Sequence, residues 1–215
     1  MHDIGLAEAT SPLILAIDVG TSSVRALLFD GRGAQVRDSE HQLRHRLATT
    51  HDGGATADPD VLVELVFSCI DHALANAQTR RDDIGAVATT TFWHSLMGVD
   101  ERLVPTTPVL MWSDTRSGED ARQLASDVDA ERLHAETGCR FHSSYWPAKL
   151  RWLRRVSPAT WRATHRWLSF ADYLSWRIHG ELTTSISMAS GTGLLNANGA
   201  SWHEPLLERL GVTAE

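Results

Sequence analysis

The segment Leu13–Asp30, LILAIDVGTSSVRALLFD, limits what this chain can fold into more than any other stretch. It reads as two apolar strands, Leu13–Ile17 and Val24–Phe29, joined by a tight Asp-x-Gly-Thr-Ser-Ser turn. The continuous apolar run of the first strand suits the interior of a sheet. Gly20 lets the backbone approach an anion closely. Thr21, Ser22 and Ser23 add hydroxyls and N–H groups, so the loop can surround phosphoryl oxygens. Asp18, at the strand end, is placed to hold a magnesium ion directly or through water. An ordinary β-hairpin with a polar turn would carry the same local pattern. The sequence has no Gly-x-x-x-x-Gly-Lys-Ser/Thr, and the turn leads into a strand rather than a helix, which excludes a Walker-type nucleotide site.

The rest of the chain reads as α/β. Gly31-Arg32-Gly33 separates the second strand from a third, Ala34–Arg44, and 48–57, with Asp52-Gly53-Gly54, reads as a polar surface loop. Asp58-Pro59 opens a helix in which Val61, Leu62, Leu65, Val66, Cys69, Ile70, Ala73 and Leu74 recur at helical spacing, a face that must cover a sheet. Strands follow at Ile84–Thr90, Ser95–Val99 and Val109–Trp112, then helices near 119–136, 148–155, 170–179 and 205–210. With 215 residues, 42% hydrophobic, the chain can bury a full core. Residues 1–12 read as an N-terminal tail and 13–215 as the domain. A net charge of −7 without a basic run argues against nucleic-acid binding. Cys69 and Cys139, without paired spacing, point to a reducing, cytoplasmic setting. No apolar stretch has the length of a membrane span or the pattern of a leader.

A second constellation lies in Thr91–Asp100, TFWHSLMGVD, followed by Pro108–Ser117, PVLMWSDTRS. His94, Asp114 and Arg116 fall at the ends of predicted strands, where open α/β sheets bind ligands. A polyhydroxylated ligand needs donors and acceptors of this kind to replace its lost water. Each has a plainer reading: a packed histidine for His94, and a surface ion pair for Asp114 and Arg116.

The Asp-x-Gly-Thr hairpin resembles the first phosphate motif of the actin, Hsp70 and sugar-kinase superfamily. Taken in order, Asp18–Arg25, Trp93-His94, Trp112–Arg116, Thr137-Gly138, Pro147–Leu153, Ala171–Leu174, Gly180-Glu181 and Ala189–Thr192 resemble the N-terminal domain of an FGGY-family carbohydrate kinase. The resemblance implies an α/β, ribonuclease-H-like domain with a mixed sheet flanked by helices. It implies transfer of the ATP γ-phosphoryl group to a sugar or sugar-acid hydroxyl. Asp18 would position Mg2+, Gly20, Thr21, Ser22, Ser23 and Arg25 would hold the phosphates, and Trp93, His94, Asp114 and Arg116 would bind the acceptor. Arg25 also reads as a solvated strand arginine.

Within the family, His94–Asp100 followed by Trp112–Ser117 looks closest to gluconokinases, with xylulokinase next. Glycerol kinases have an Arg-Glu pair where Trp93 and His94 stand. Were the acceptor gluconate, Arg116 could meet its carboxylate at two points. Ser185 stands where many relatives have an aspartate. The resemblance puts the catalytic base, an aspartate, and the adenine pocket beyond Glu215. Residues 1–215 are therefore expected to be one domain of a larger kinase, inactive without its C-terminal domain; a homodimer is compatible with this reading. A non-catalytic sugar- or phosphate-binding module is the alternative from another class. A chaperone- or actin-like ATPase would share the first motif but leave Trp112–Arg116 unexplained.

Overall fold

The computed structural model describes residues 3–214. In chain order the elements are β1 (Asp3–Ile4), β2 (Leu13–Val19), β3 (Ser23–Phe29), β4 (Gln35–Val36), β5 (His41–Arg44), β6 (Ala48–Thr49), β7 (Ala55–Ala57) and α1 (Pro59–Asn76). A 3₁₀ turn at Gln78–Asp83 leads to β8 (Ile84–Thr91), β9 (Met97–Val99) and β10 (Val109–Leu110). The remainder holds α2 (Gly118–Asp127), α3 (Ala130–Thr137), α4 (Trp146–Val156), α5 (Pro158–Ala163), β11 (Arg166–Leu168), α6 (Phe170–His179), α7 (Ile186–Thr192), β12 (Leu195–Asn196), β13 (Ser201–Trp202) and α8 (Glu204–Leu210). The chain forms two compact units, Met1–Leu47 with Asp60–Phe92, and Ala48–Pro59 with Trp93–Glu215.

The first unit is built on a mixed sheet in the order β1-β4-β3-β2-β8, with β5 also on β3. β2 runs antiparallel to β3 and parallel to β8. Alternate residues of the hairpin are buried: Leu13, Leu15, Ile17 and Val19 on β2, and Val24, Ala26 and Leu28 on β3. The β2 run thus lies half-buried along its other face instead of being covered on both. Pro59 opens α1, where its missing N–H costs no helical bond. The helix buries Leu62, Val63, Val66, Cys69 and Ala73, and the Cys69 thiol lies 3.5 Å from the Val24 carbonyl of β3.

Several sequence expectations change. Residues 3–12 are tied down: β1 pairs in parallel with β4, and Arg80 Nη1 donates to the carbonyls of Leu6 and Ala9 at 2.6 and 2.8 Å. The third strand is two short ones, because Asp38 turns at φ 58° and the buried Ser39 hydroxyl takes the Leu28 N–H. Residues 48–57 are a hairpin, β6 against β7, and β7 pairs in turn with β10. The Asp-Gly-Gly taken as a loop signal is its turn, with Gly53 at φ 91°. The long helix expected over 119–136 is α2 and α3, split where Asp129 caps α3 by accepting from Arg132 N. α5, β11 and α7 had not been anticipated.

In the second unit, Leu96, Leu110, Leu124, Trp146, Leu150, Leu153, Leu194, Leu206, Leu207 and Leu210 form the core. α6 starts at a capping box, Ser169 with Asp172, and ends at Gly180 in the left-handed region. Its N-terminus is anchored by the Ser95 hydroxyl, which accepts from Phe170 N, while the Ser95 carbonyl accepts from Trp146 Nε1. No helix of the described residues is long and apolar enough to cross a membrane.

Candidate functional site

The residues singled out by sequence fall into two groups, one in each unit. In the first unit the β2–β3 register sets Asp18 directly opposite Arg25, and Arg25 Nε donates to Asp18 Oδ2 at 2.7 Å. Both side chains remain more than a third exposed. Gly20 N closes the hairpin by donating to Ser23 O at 2.8 Å. Ser23 Oγ accepts from Gln42. Thr21 and Ser22, at the tip, keep their hydroxyls and N–H groups without a hydrogen-bond partner among the described residues. The loop is supported from beneath by a residue the sequence reading passed over. His45 N donates to Ser22 O, and His45 Nε2 lies 3.0 Å from Gly20 O. An open hairpin tip beside a paired carboxylate and guanidinium is suited to an anion that brings its own cation.

In the second unit, Trp93 and His94 follow β8 in a loop. His94 stands at φ 59°, a left-handed conformation that a bulky residue adopts only when its surroundings hold it there. The holding contacts are specific. His94 Nδ1 lies 2.7 Å from the Gly191 carbonyl of α7, its ring stacks on Trp93, and Tyr145 meets it edge-on at 4.7 Å. With Nδ1–H donating to that carbonyl, neutral His94 presents Nε2 as an acceptor. Gly191 is required by close approach, because a Cβ there would sit 2.8 Å from the Trp93 ring. Trp93 and Trp112 are about half exposed, at 45% and 49%.

Asp114 and Arg116 lie in the turn after β10. Asp114 is 2% exposed and accepts from Ala55 N of the β6–β7 hairpin. Arg116 Nε and Nη2 grip its carboxylate, Nε 3.0 Å from Oδ1, and the guanidinium lies 4.5 Å over the Trp152 ring. The hydrogen bonds it donates to Asp114 hold the Arg116 guanidinium above its ordinary pKa. Sequence reasoning gave both residues to a bound acceptor. In this conformation they are engaged with each other, with the hairpin and with Trp152, and the two-point carboxylate contact assigned to Arg116 is taken by Asp114.

Lys149, in the first turns of α4, lies beneath these segments. It is 1% exposed, and its Nζ is 2.9, 2.7 and 2.9 Å from the carbonyl oxygens of His94, Met111 and Ser144. All three ammonium protons thus go to main-chain acceptors on three different segments. Burial pulls its pKa down to about 7, against the attraction of Asp114. The Ser144 hydroxyl closes the arrangement by donating to Trp112 O at 2.8 Å. Lys149, Tyr145 and Gly191 received no role from the sequence, since each acts through a contact that only the tertiary fold creates.

Residues 13–215 match the FGGY family of carbohydrate kinases, N-terminal domain. The chain belongs to that family. The gluconokinase of Bacillus subtilis (strain 168) is 25% identical over 204 residues, a match that takes in 94% of this chain and 39% of that protein. The xylulose kinase of Streptomyces coelicolor is 29% identical over 208 residues, covering 96% and 42%. The crystal structure of gluconate kinase from Lactobacillus acidophilus superposes with a TM-score of 0.84 at 26% identity, over 94% of this chain and 40% of that one. The fold is therefore that of the sugar kinases, as the hairpin motif implied, and the chain spans about 40% of the length of these relatives. Ser185, where the resemblance led to an aspartate being expected, caps α7 by accepting from Met188 N, a role that either residue fills.

Proposed function

We propose that this chain supplies the phosphate-facing hairpin and the acceptor-binding groups of an ATP-dependent carbohydrate kinase. The observation that carries the reading is the Asp18–Arg25 pair beside a tip whose Thr21 and Ser22 groups are open, in a chain of the FGGY family. In the reaction, a sugar hydroxyl oxygen bonds to the γ-phosphorus of ATP, the bond to the β–γ bridging oxygen breaks, and the hydroxyl proton leaves to a base outside the residues named above. Such transfer depends on alignment and charge neutralisation more than on covalent help.

Gly20–Ser23 and Arg25 would hold the β- and γ-phosphates. Among the described residues no cluster of three or more acidic, His or Cys side chains forms a metal site, and Asp18 offers one carboxylate with Oδ2 already on Arg25. That fits magnesium, which keeps several waters and takes one or two carboxylates together with substrate phosphates. Bound there, it would neutralise developing phosphate charge. On the acceptor side, Trp93 and Trp112 offer apolar faces and His94 Nε2 a hydroxyl acceptor, while Asp114 and Arg116 fix the loop that carries Trp112.

We take gluconate as the favoured acceptor and xylulose as the alternative. The support is the run His94–Asp100 with Trp112–Ser117, together with relatives of both specificities. A coupled ADP-release assay of the full-length protein with gluconate, xylulose, ribulose and glycerol tests this, with gluconate expected to give the highest kcat/KM. Sugar binding without turnover on any of the four would favour a non-catalytic module instead.

A further inference from the structure

Lys149 does more than fill the core. Its Nζ reaches the carbonyls of His94, Met111 and Ser144; the first two adjoin Trp93 and Trp112, assigned above to the acceptor, and the third adjoins Tyr145, whose ring meets that of His94. His94 follows Trp93, Met111 precedes Trp112, and Ser144 precedes Tyr145. The three segments are far apart in sequence, and two of them need restraint. His94 sits in a left-handed conformation, and Met111 leaves β10 for the turn that carries Asp114.

We propose that Lys149 is a positioning residue for the acceptor site, a single ammonium that fixes the Trp93–His94, Trp112–Arg116 and Tyr145 segments relative to one another without touching the acceptor. This rests on the kinase reading for its functional consequence, but the clamp itself does not. A buried ammonium with three carbonyl partners is directional, whereas an apolar side chain of similar length would fill the space, strip the His94 and Ser144 carbonyls of this partner and leave the Met111 carbonyl only the Asp114 N–H. The indoles, the His94 ring and the Tyr145 ring would then lose their mutual register while α4 and the core kept theirs. Trp93, His94 and Trp112, the groups assigned to the acceptor, depend on that register, so the effect falls on acceptor affinity more than on the chemical step.

The test uses Lys149→Met, Lys149→Gln and Lys149→Arg in the full-length protein, with two readouts. The first is hydrogen exchange of the backbone. The segments around 93–96, 111–116 and 144–146 should exchange faster in the Met and Gln variants, with β2, β3 and α1 unchanged. The second is steady-state kinetics, in which acceptor KM should rise roughly tenfold to a hundredfold, the range for a lost charged hydrogen bond, with kcat and the ATP KM little changed. Arg, which keeps a charge but is planar, should restore part of the affinity.

Unchanged exchange in the three segments would overturn the proposal. So would global unfolding of both neutral variants, because a local clamp leaves the rest of the chain folded. A fall in kcat with acceptor KM unchanged would overturn it too. If the wild-type protein phosphorylates no sugar, the kinase reading fails, and the exchange readout still decides whether Lys149 positions these segments.

Discussion

Arg116→Lys gives a direct measure of how far the Asp114–Arg116 pair is structural. The side chain is 20% exposed, its partner 2%, and it makes a two-nitrogen contact to one carboxylate while lying 4.5 Å over Trp152. A lysine keeps the charge but loses the fork and the flat face. Losing one charged hydrogen bond costs roughly 1.5–3 kcal/mol, and losing the ring contact about 0.5–1 more. The ammonium recovers part of this, so we expect a net destabilisation of about 1.5–3 kcal/mol. Arg116→Ala should cost more, about 3–5 kcal/mol, because it strands a buried carboxylate. Urea unfolding followed by tryptophan fluorescence measures this, since Trp152 lies under the guanidinium. With an ordinary m-value, a 2 kcal/mol loss lowers the midpoint by roughly 0.7–2 M.

A double-mutant cycle with Asp114→Asn isolates the pair. The two substitutions together should cost about 1–3 kcal/mol less than their sum. A coupling energy below about 0.5 kcal/mol would refute the reasoning, since residues in direct contact rarely combine additively. The same variant tests the acceptor. Because Nε and Nη2 are both on Asp114, Arg116→Lys should weaken gluconate and xylulose alike; a selective loss for gluconate would show that Arg116 leaves Asp114 to grip a substrate carboxylate.

Three further outcomes follow from particular contacts. Gly191→Ala places a methyl 2.8 Å from the Trp93 ring, so the indole must turn; near-ultraviolet circular dichroism should change and acceptor affinity fall, at a stability cost of about 1–3 kcal/mol, the usual range for overpacking. Burial lowers the Lys149 pKa from 10.5 to about 7, so between those values the unfolded chain binds more protons and stability rises with pH; Lys149→Met should remove that component, and parallel stability-against-pH curves would contradict it. Ser185→Ala should cost about 1 kcal/mol by removing the α7 cap, whereas Ser185→Asp should be near neutral, as thermal or urea unfolding will show.

The hairpin was legible because its signals are local. Two apolar runs joined by a short glycine turn point to a hairpin whose register sets Asp18 opposite Arg25, without help from the rest of the chain. The helix Pro59–Asn76 was readable for the same reason: its apolar period and its opening proline are local. The β6–β7 hairpin was misread because its strands are two and three residues long, too short to show a period, and its strands are completed by pairing with β10. The arrangement around Asp114 and Arg116 depends even more on the fold. Asp114 and Arg116 look like binding groups in sequence because a carboxylate and a guanidinium two residues apart are chemically capable of it. Their contacts in this structure with Ala55 N and the Trp152 ring, 59 and 36 residues away along the chain, could not be read from that spacing. Lys149 shows the same point from the other side: nothing within α4 marks it out from a solvated helix lysine, and its meaning comes from three carbonyls that only the folded chain brings to one nitrogen. Residue types therefore revealed the chemistry available to the site, while the allocation of that chemistry between holding the loops and meeting a ligand was set by long-range packing.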